Sequence, residues 1–278
     1  MRLCVLFATV AAICFAQPPA GSFERTFTVS GVVELDLKTD SGGISVVPGP
    51  SGTVRVRGIL KANRFRSRQG DVERRLRELE AHPPIAQNGN SISVVVRDPQ
   101  MLRDISMRLE VQAPQDSRLR ARADSGGIEV RGIKGPIDCE TDSGGIHAND
   151  IDGEVRARAD SGGIHIRNVS GPVYAHADSG GIDALQVAGS VEAMVDSGGI
   201  RIAQTKAAAI KAQADSGGAD ITLASTGGYE LKAHSDSGGI TVSELTISGT
   251  NSRRHVAGNG GRTPSEIGAV SGETGGRP

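Results

Sequence analysis

Three observations predict an all-β fold for this chain: a single-stranded parallel β-solenoid, or β-helix, with 18-residue coils. The first is an internal repeat, which is read before anything else because it decides the architecture. Asp-Ser-Gly-Gly begins at Asp40, Asp124, Asp142, Asp160, Asp178, Asp196, Asp215 and Asp236, with a spacing of 18 from Asp124 to Asp196 and then of 19 and 21. The second is a period of two on both sides of that tetrapeptide. Five residues before each Asp stand Leu35, Leu119, Ile137, Val155, Val173, Val191, Ile210 and Leu231, and three before it stand Leu37, Ala121, Cys139, Ala157, Ala175, Ala193, Ala212 and Ala233. After the glycines, Ile44, Ile128, Ile146, Ile164, Ile182, Ile200, Ala219 and Ile240 fill one column, and a second apolar column follows two residues later. Alternation over five residues is the mark of a half-buried strand. The third is composition: 38 glycines, no tryptophan, two tyrosines and five phenylalanines leave no material for a large aromatic core.

Each repeat therefore reads as strand, tight corner, strand, second turn. So short a unit cannot bury its apolar face alone, but stacked copies bury a continuous one, each strand pairing with its equivalent about 4.8 Å away. A hexapeptide helix has coils of the same length, but it needs an apolar residue at every sixth position. The uneven apolar spacing here sets that fold aside.

The alternation also assigns directions at the corner. If the residue before Asp points in, Asp points out and Ser points in. The Asp carboxylate is then expected to accept backbone N–H groups of its own turn, and the serines to form an inward hydroxyl ladder. Outward charges alternate in sign between coils, as Arg120, Asp138, Arg156 and as Arg122, Glu140, Arg158, which favours this register over a slip.

Four segments are expected. Residues 1–16 carry one positive charge, an apolar run and small residues, the pattern of a secretory signal peptide. That run is about a dozen residues, short of the roughly 20 a membrane span requires, and no later segment is apolar enough to span a bilayer. The protein is expected to be exported: periplasmic, on the cell surface or secreted. Residues 22–112 read as the first coil plus a strand-helix-strand cap, because the interval from Asp40 to Asp124 is far longer than one coil. Its helix is expected at about 71–81, with Val72, Leu76 and Leu79 as the apolar stripe, Arg74 paired to Glu78, and Pro83-Pro84 as the stop. Residues 113–245 hold the regular coils. Residues 246–278 form either a degenerate last rung or a disordered tail.

An exported chain with this N-terminal region followed by copies of Thr141-Asp142-Ser143-Gly144-Gly145-Ile146 resembles the bacterial putative-adhesin family of unknown function related to the head-GIN domains. The resemblance covers roughly residues 25–275. It implies a β-solenoid at the cell envelope and brings no catalytic residues.

Candidate chemistry is weighed on that frame. Asp-Ser-Gly-Gly is also the core of the trypsin-like nucleophile signature, but here it occurs eight times and without the following Pro. The outward column Asp124, Asp142, Asp160, Asp178 and Asp196 could bind calcium as a ladder of hard ligands. One Asp per corner fits a structural turn better. Glu129, His147, His165 and Asp183 share an outward column that could hold zinc, though a flat ladder suits tetrahedral ligation poorly. Cys139, in the inward alanine column, reads as a packed thiol. A formal charge of −1 with both signs interspersed gives no case for nucleic acid. The expected function is that of a non-enzymatic envelope module, without a cofactor, binding an unidentified protein or glycan along its ladder faces. A calcium-dependent binding protein and a glycan-active β-helix enzyme are the alternatives.

Overall fold

The alternating columns become strands in every copy of the repeat. The computed structural model describes residues 20–62, 69–224, 230–244 and 265–267; the expected leader at 1–16 and nearly all of 246–278 lie outside these. The N-terminal part runs β1 (Ala20–Thr28), β2 (Val33–Ser41), β3 (Ile44–Pro48), β4 (Thr53–Ala62), α1 (Gln69–Ala81), β5 (Ile85–Asn88), β6 (Ser91–Val94), a 3-10 turn (Pro99–Leu102) and β7 (Ile105–Ala113). Seven coils follow as strand pairs. They are β8 (Ser117–Ser125) with β9 (Ile128–Arg131), β10 (Ile137–Ser143) with β11 (Ile146–Ile151), β12 (Val155–Ser161) with β13 (Ile164–Val169), and β14 (Val173–Ser179) with β15 (Ile182–Val187). Next come β16 (Val191–Ser197) with β17 (Ile200–Gln204), β18 (Ile210–Ser216) with β19 (Ala219–Leu223), and β20 (Leu231–Ser237) with β21 (Ile240–Glu244). A last strand, β22 (Ser265–Ile267), runs antiparallel to β20.

The first strand of each coil joins one 11-stranded sheet and the second strand joins another, so the coil is a parallel β-solenoid with two faces. Register is strict: Ile137, Cys139 and Thr141 face Val155, Ala157 and Ala159, and Ile146 and Ala148 face Ile164 and Ile166. The inward columns are buried throughout, with Ile128, Ile146, Ile164 and Ile182 each at 0% exposure.

The coil at Asp40 is far from the coil at Asp124 in sequence but adjacent to it in space. β2 pairs directly with β8, and β3 with β9. The intervening chain folds beneath instead: β6 and β7 form a coil under β2 and β3, and β4 and β1 extend that edge antiparallel. Helix α1 lies against β1, burying Val72, Leu76 and Leu79, while the Glu80 carboxylate accepts from the Ser22 amide at 2.9 Å. Arg74 pairs at 2.5 Å with Asp71 and not with the expected Glu78, because Asp71 sits one turn earlier at the helix start, where a carboxylate is favoured. That contact holds the Asp71 carboxyl below the usual carboxylate range.

The corner departs from the sequence expectation in one respect. Asp is outside as expected, but the corner serines Ser125, Ser143, Ser161, Ser179, Ser197, Ser216 and Ser237 are all exposed, so no inward serine ladder exists. The pleat resets at the turn: Ala159 and Ile164 are both buried although they stand an odd number of positions apart. The inward hydroxyls stand one residue before Asp. Thr39 Oγ1 donates to the Gly42 carbonyl at 2.9 Å, Thr141 Oγ1 to Gly126 at 3.1 Å and Ser235 Oγ to Gly217 at 2.9 Å. The expected bonds from turn amides to the Asp carboxylates are also absent among the described residues. The first glycine's amide is already engaged by the neighbouring coil, as in Gly144 N–H to the Ser161 carbonyl at 2.9 Å.

At the second turn, Gly135, Gly153, Gly171 and Gly189 recur at the coil spacing, and a Cβ on any of them would lie closer than 3.0 Å to a carbonyl of the coil before. The first coil to break the regular spacing is the one where Ala208 takes that place and where Gln204, 1% exposed, stands opposite Val187.

Candidate functional site

The residues singled out for chemistry lie on three exposed strips: the corner and the outer faces of the two sheets. The corner carries Asp124, Asp142, Asp160, Asp178 and Asp196 in a column, one per coil. Like charges about 4.8 Å apart in water repel by about 0.9 kcal/mol before screening. The residue two before Asp supplies a polar partner on three coils: Arg158 to Asp160 at 3.7 Å, His176 to Asp178 at 2.9 Å and His234 to Asp236 at 2.7 Å. Asp124, Asp142 and Asp196 have no such partner among the described residues. The column does not converge: no group of three or more His, Cys, Asp or Glu side chains is placed to hold a metal among the described residues.

His147 and His165 stack on neighbouring strands, ring centroids 4.9 Å apart and 21° from parallel. Parallel rings do not direct their nitrogens at one point. His165 Nδ1 instead meets Asp183 Oδ2 at 3.1 Å, and Arg201 approaches the same carboxylate at 3.8 Å. Glu129, expected in the same column, turns to Arg131 on its own strand at 2.7 Å.

On the other sheet the alternating ladder is half realised. Arg120 meets Asp138 at 3.3 Å and Arg122 meets Glu140 at 2.9 Å, the latter raising the guanidinium above its already high ordinary value. Arg156 turns away, to Glu154 at 2.5 Å, with its guanidinium 4.6 Å over the Tyr174 ring. These exposed pairs favour register by a few tenths of a kcal/mol each. Cys139 is buried at 1% exposure, and burial pushes its thiol up to about 12.

Sequence reasoning missed the grooves. Three concavities of 370, 360 and 590 Å³ lie end to end on the sheet containing β11 and β13. His147 lines the first and second, and Asp183 lines the second and third. A separate groove of 560 Å³ crosses the other sheet between Asp36, Arg118, Arg120 and Asp138. The glycine corner walls the first and third of the joined concavities. The first glycine's carbonyl is turned in toward buried hydroxyls at Gly42, Gly126 and Gly217. A full set of column assignments, including the odd spacing across the corner, would have located this strip.

These features define a class: a parallel β-solenoid repeat protein whose exposed chemistry is arranged in side-chain ladders. The chain belongs to the Toastrack DUF4097 family, whose pattern matches residues 80–273. The resemblance read from the Asp-Ser-Gly-Gly copies is thereby confirmed. Among solved structures, the chain is similar to a putative adhesin from Bacteroides fragilis at 17% identity, with a TM-score of 0.44, covering 83% of this chain and 100% of that one. It is similar to a putative adhesin from Parabacteroides distasonis at 11% identity and a TM-score of 0.43, covering 81% and 97%. A putative cell adhesion protein from Clostridium sporogenes matches at 11% identity and a TM-score of 0.35, covering 81% and 100%. No curated protein matches. No described helix is long and apolar enough to cross a membrane.

Proposed function

We propose that the chain is an exported, non-enzymatic, adhesin-like module of the cell envelope that engages a protein or glycan through its exposed ladders. The observation that carries this reading is the form of the surface: every coil presents side chains at the same places about 4.8 Å from the next, and the concavities are open grooves lying on those faces. Among the described residues Val32, at 53% exposure, is the one exposed large hydrophobic side chain, so contact with a partner is polar.

Two measurements test it. On intact cells, added protease should remove the chain, and beads coated with it should adhere to the surfaces those cells colonise; a chain retained inside the cytoplasm, or coated beads that adhere no better than blank ones, defeats the reading. Thermal unfolding in calcium or zinc should match that in chelator. A specific site filled 100-fold above its Kd would add about 2.7 kcal/mol, and such a rise would restore the metal-dependent alternative.

A further inference from the structure

We infer that the three joined concavities on the sheet containing β11 and β13 form one binding groove, and that its occupant is a linear, uncharged polysaccharide lying along the solenoid axis. This rests on the reading of the chain as a surface binding module and names the partner's chemistry. The groove runs from β7 to β21 across nine neighbouring strands, a length of about 38 Å at about 4.8 Å per strand. An axial groove of that length suits a linear polymer.

Three observations select the polymer. The first is charge. Along the groove wall Glu110, Glu129, Asp183 and Asp220 are interspersed with Arg108, His147, His165, Arg167 and Arg201, so both signs of charge line it. A polyanion would meet the four carboxylates, and a polycation would meet the basic members. A hydroxyl, which both donates and accepts, pairs with either kind of wall residue. The second is period. An extended peptide repeats every ~3.3 Å, out of step with the ~4.8 Å ladder, whereas a chain of larger units can offer one polar edge per coil. The third is that, among the described residues, Val32 is the one exposed large hydrophobic side chain and it does not line the groove, so the groove offers no apolar anchor of the kind a protein partner or a second copy of this chain would use.

The structure supplies a selective block. A Cβ at Gly199, in the wall of the third concavity, meets nothing closer than the Gly218 carbonyl at 3.6 Å, so a side chain fits there without disturbing the fold. In native affinity electrophoresis, the chain should be retarded by hydroxyethyl cellulose, a soluble uncharged β-linked glucan, and by neither polygalacturonate nor poly-lysine. Gly199→Gln and Asp183→Ala should each weaken retardation about tenfold or more at unchanged melting temperature, while Lys211→Gln on the opposite sheet leaves it intact. Retardation that survives Gly199→Gln, or stronger retardation by polygalacturonate, overturns the inference. No retardation by any polymer, with adhesion of coated beads retained, overturns it too and leaves the binding-module reading standing; loss of both removes the reading beneath it.

Discussion

Replacing Gly162 by alanine should destabilise the protein by about 3–5 kcal/mol, while Gly199→Ala, in the corner two coils on, changes stability by less than about 1 kcal/mol. Both are members of a Gly-Gly pair, and the difference comes from which member is replaced. Gly162 is the first glycine of its corner, at φ +145, a conformation that costs an L residue about 1–3 kcal/mol by itself. A Cβ there would also lie closer than 3.0 Å to the Gly144 carbonyl of the coil below, backbone that is held by pairing on both sides and cannot retreat. Gly199 is a second glycine, and a Cβ there would make only an ordinary van der Waals contact, with the Gly218 carbonyl at 3.6 Å. Urea unfolding of the two variants decides the matter: equal costs would mean that the stacked corner is wrongly described. The same contact recurs at Gly126, Gly144, Gly180, Gly198, Gly217 and Gly238, so any one of them is expected to behave like Gly162.

Alkaline pH should destabilise the wild-type chain through Cys139, and Cys139→Ala should abolish that part of the loss. Burial raises the folded thiol to about 12 from an ordinary 9.0. Between those values the unfolded chain has given up its proton and the folded chain retains it. The unfolded state therefore binds fewer protons, and stability falls as pH rises, by about 1.4 kcal/mol per pH unit. From 9.0 to about 12 is about three pH units, or about 4 kcal/mol in full and about 3 kcal/mol by pH 11. Below 9 the effect is absent. Alanine is the right comparison because Ala121 and Ala157 already occupy the same column on the adjacent coils. The measurement is the difference between the two chains in denaturant midpoint from pH 8 to 11. Parallel curves would show that the thiol is not buried. A thiol reagent at pH 8 should label Cys139 only when the chain is unfolded.

The corner shows where reading by pattern stops. The apolar columns five and three residues before Asp, and those after the glycines, were legible because burial on a strand repeats every second residue and eight copies repeat the same answer. Extending that alternation through Asp-Ser-Gly-Gly put Ser inside, and the structure puts it outside. The information was present in the odd interval between Ala159 and Ile164, which requires one reset of the pleat. The hydroxyls that do point inward, Thr39, Thr141 and Ser235, occupy a column otherwise filled by Ala and Val, and so carried no polar pattern.

Local sequence determined that this chain is a β-solenoid and which apolar columns of its strands are buried, because those properties follow from a short period repeated many times. Tertiary structure alone decided three things. The coil at Asp40 pairs with the coil at Asp124 across the whole intervening cap, since strand pairing depends on matching faces and not on sequence distance. Asp160, Asp178 and Asp236 are met by the side chain two residues before them, while the Gly162 and Gly180 amides of the first two of those corners bond to the next coil. The groove between His147 and Asp183 exists only when separate coils are stacked, as each of its walls is assembled from one residue per turn of the chain.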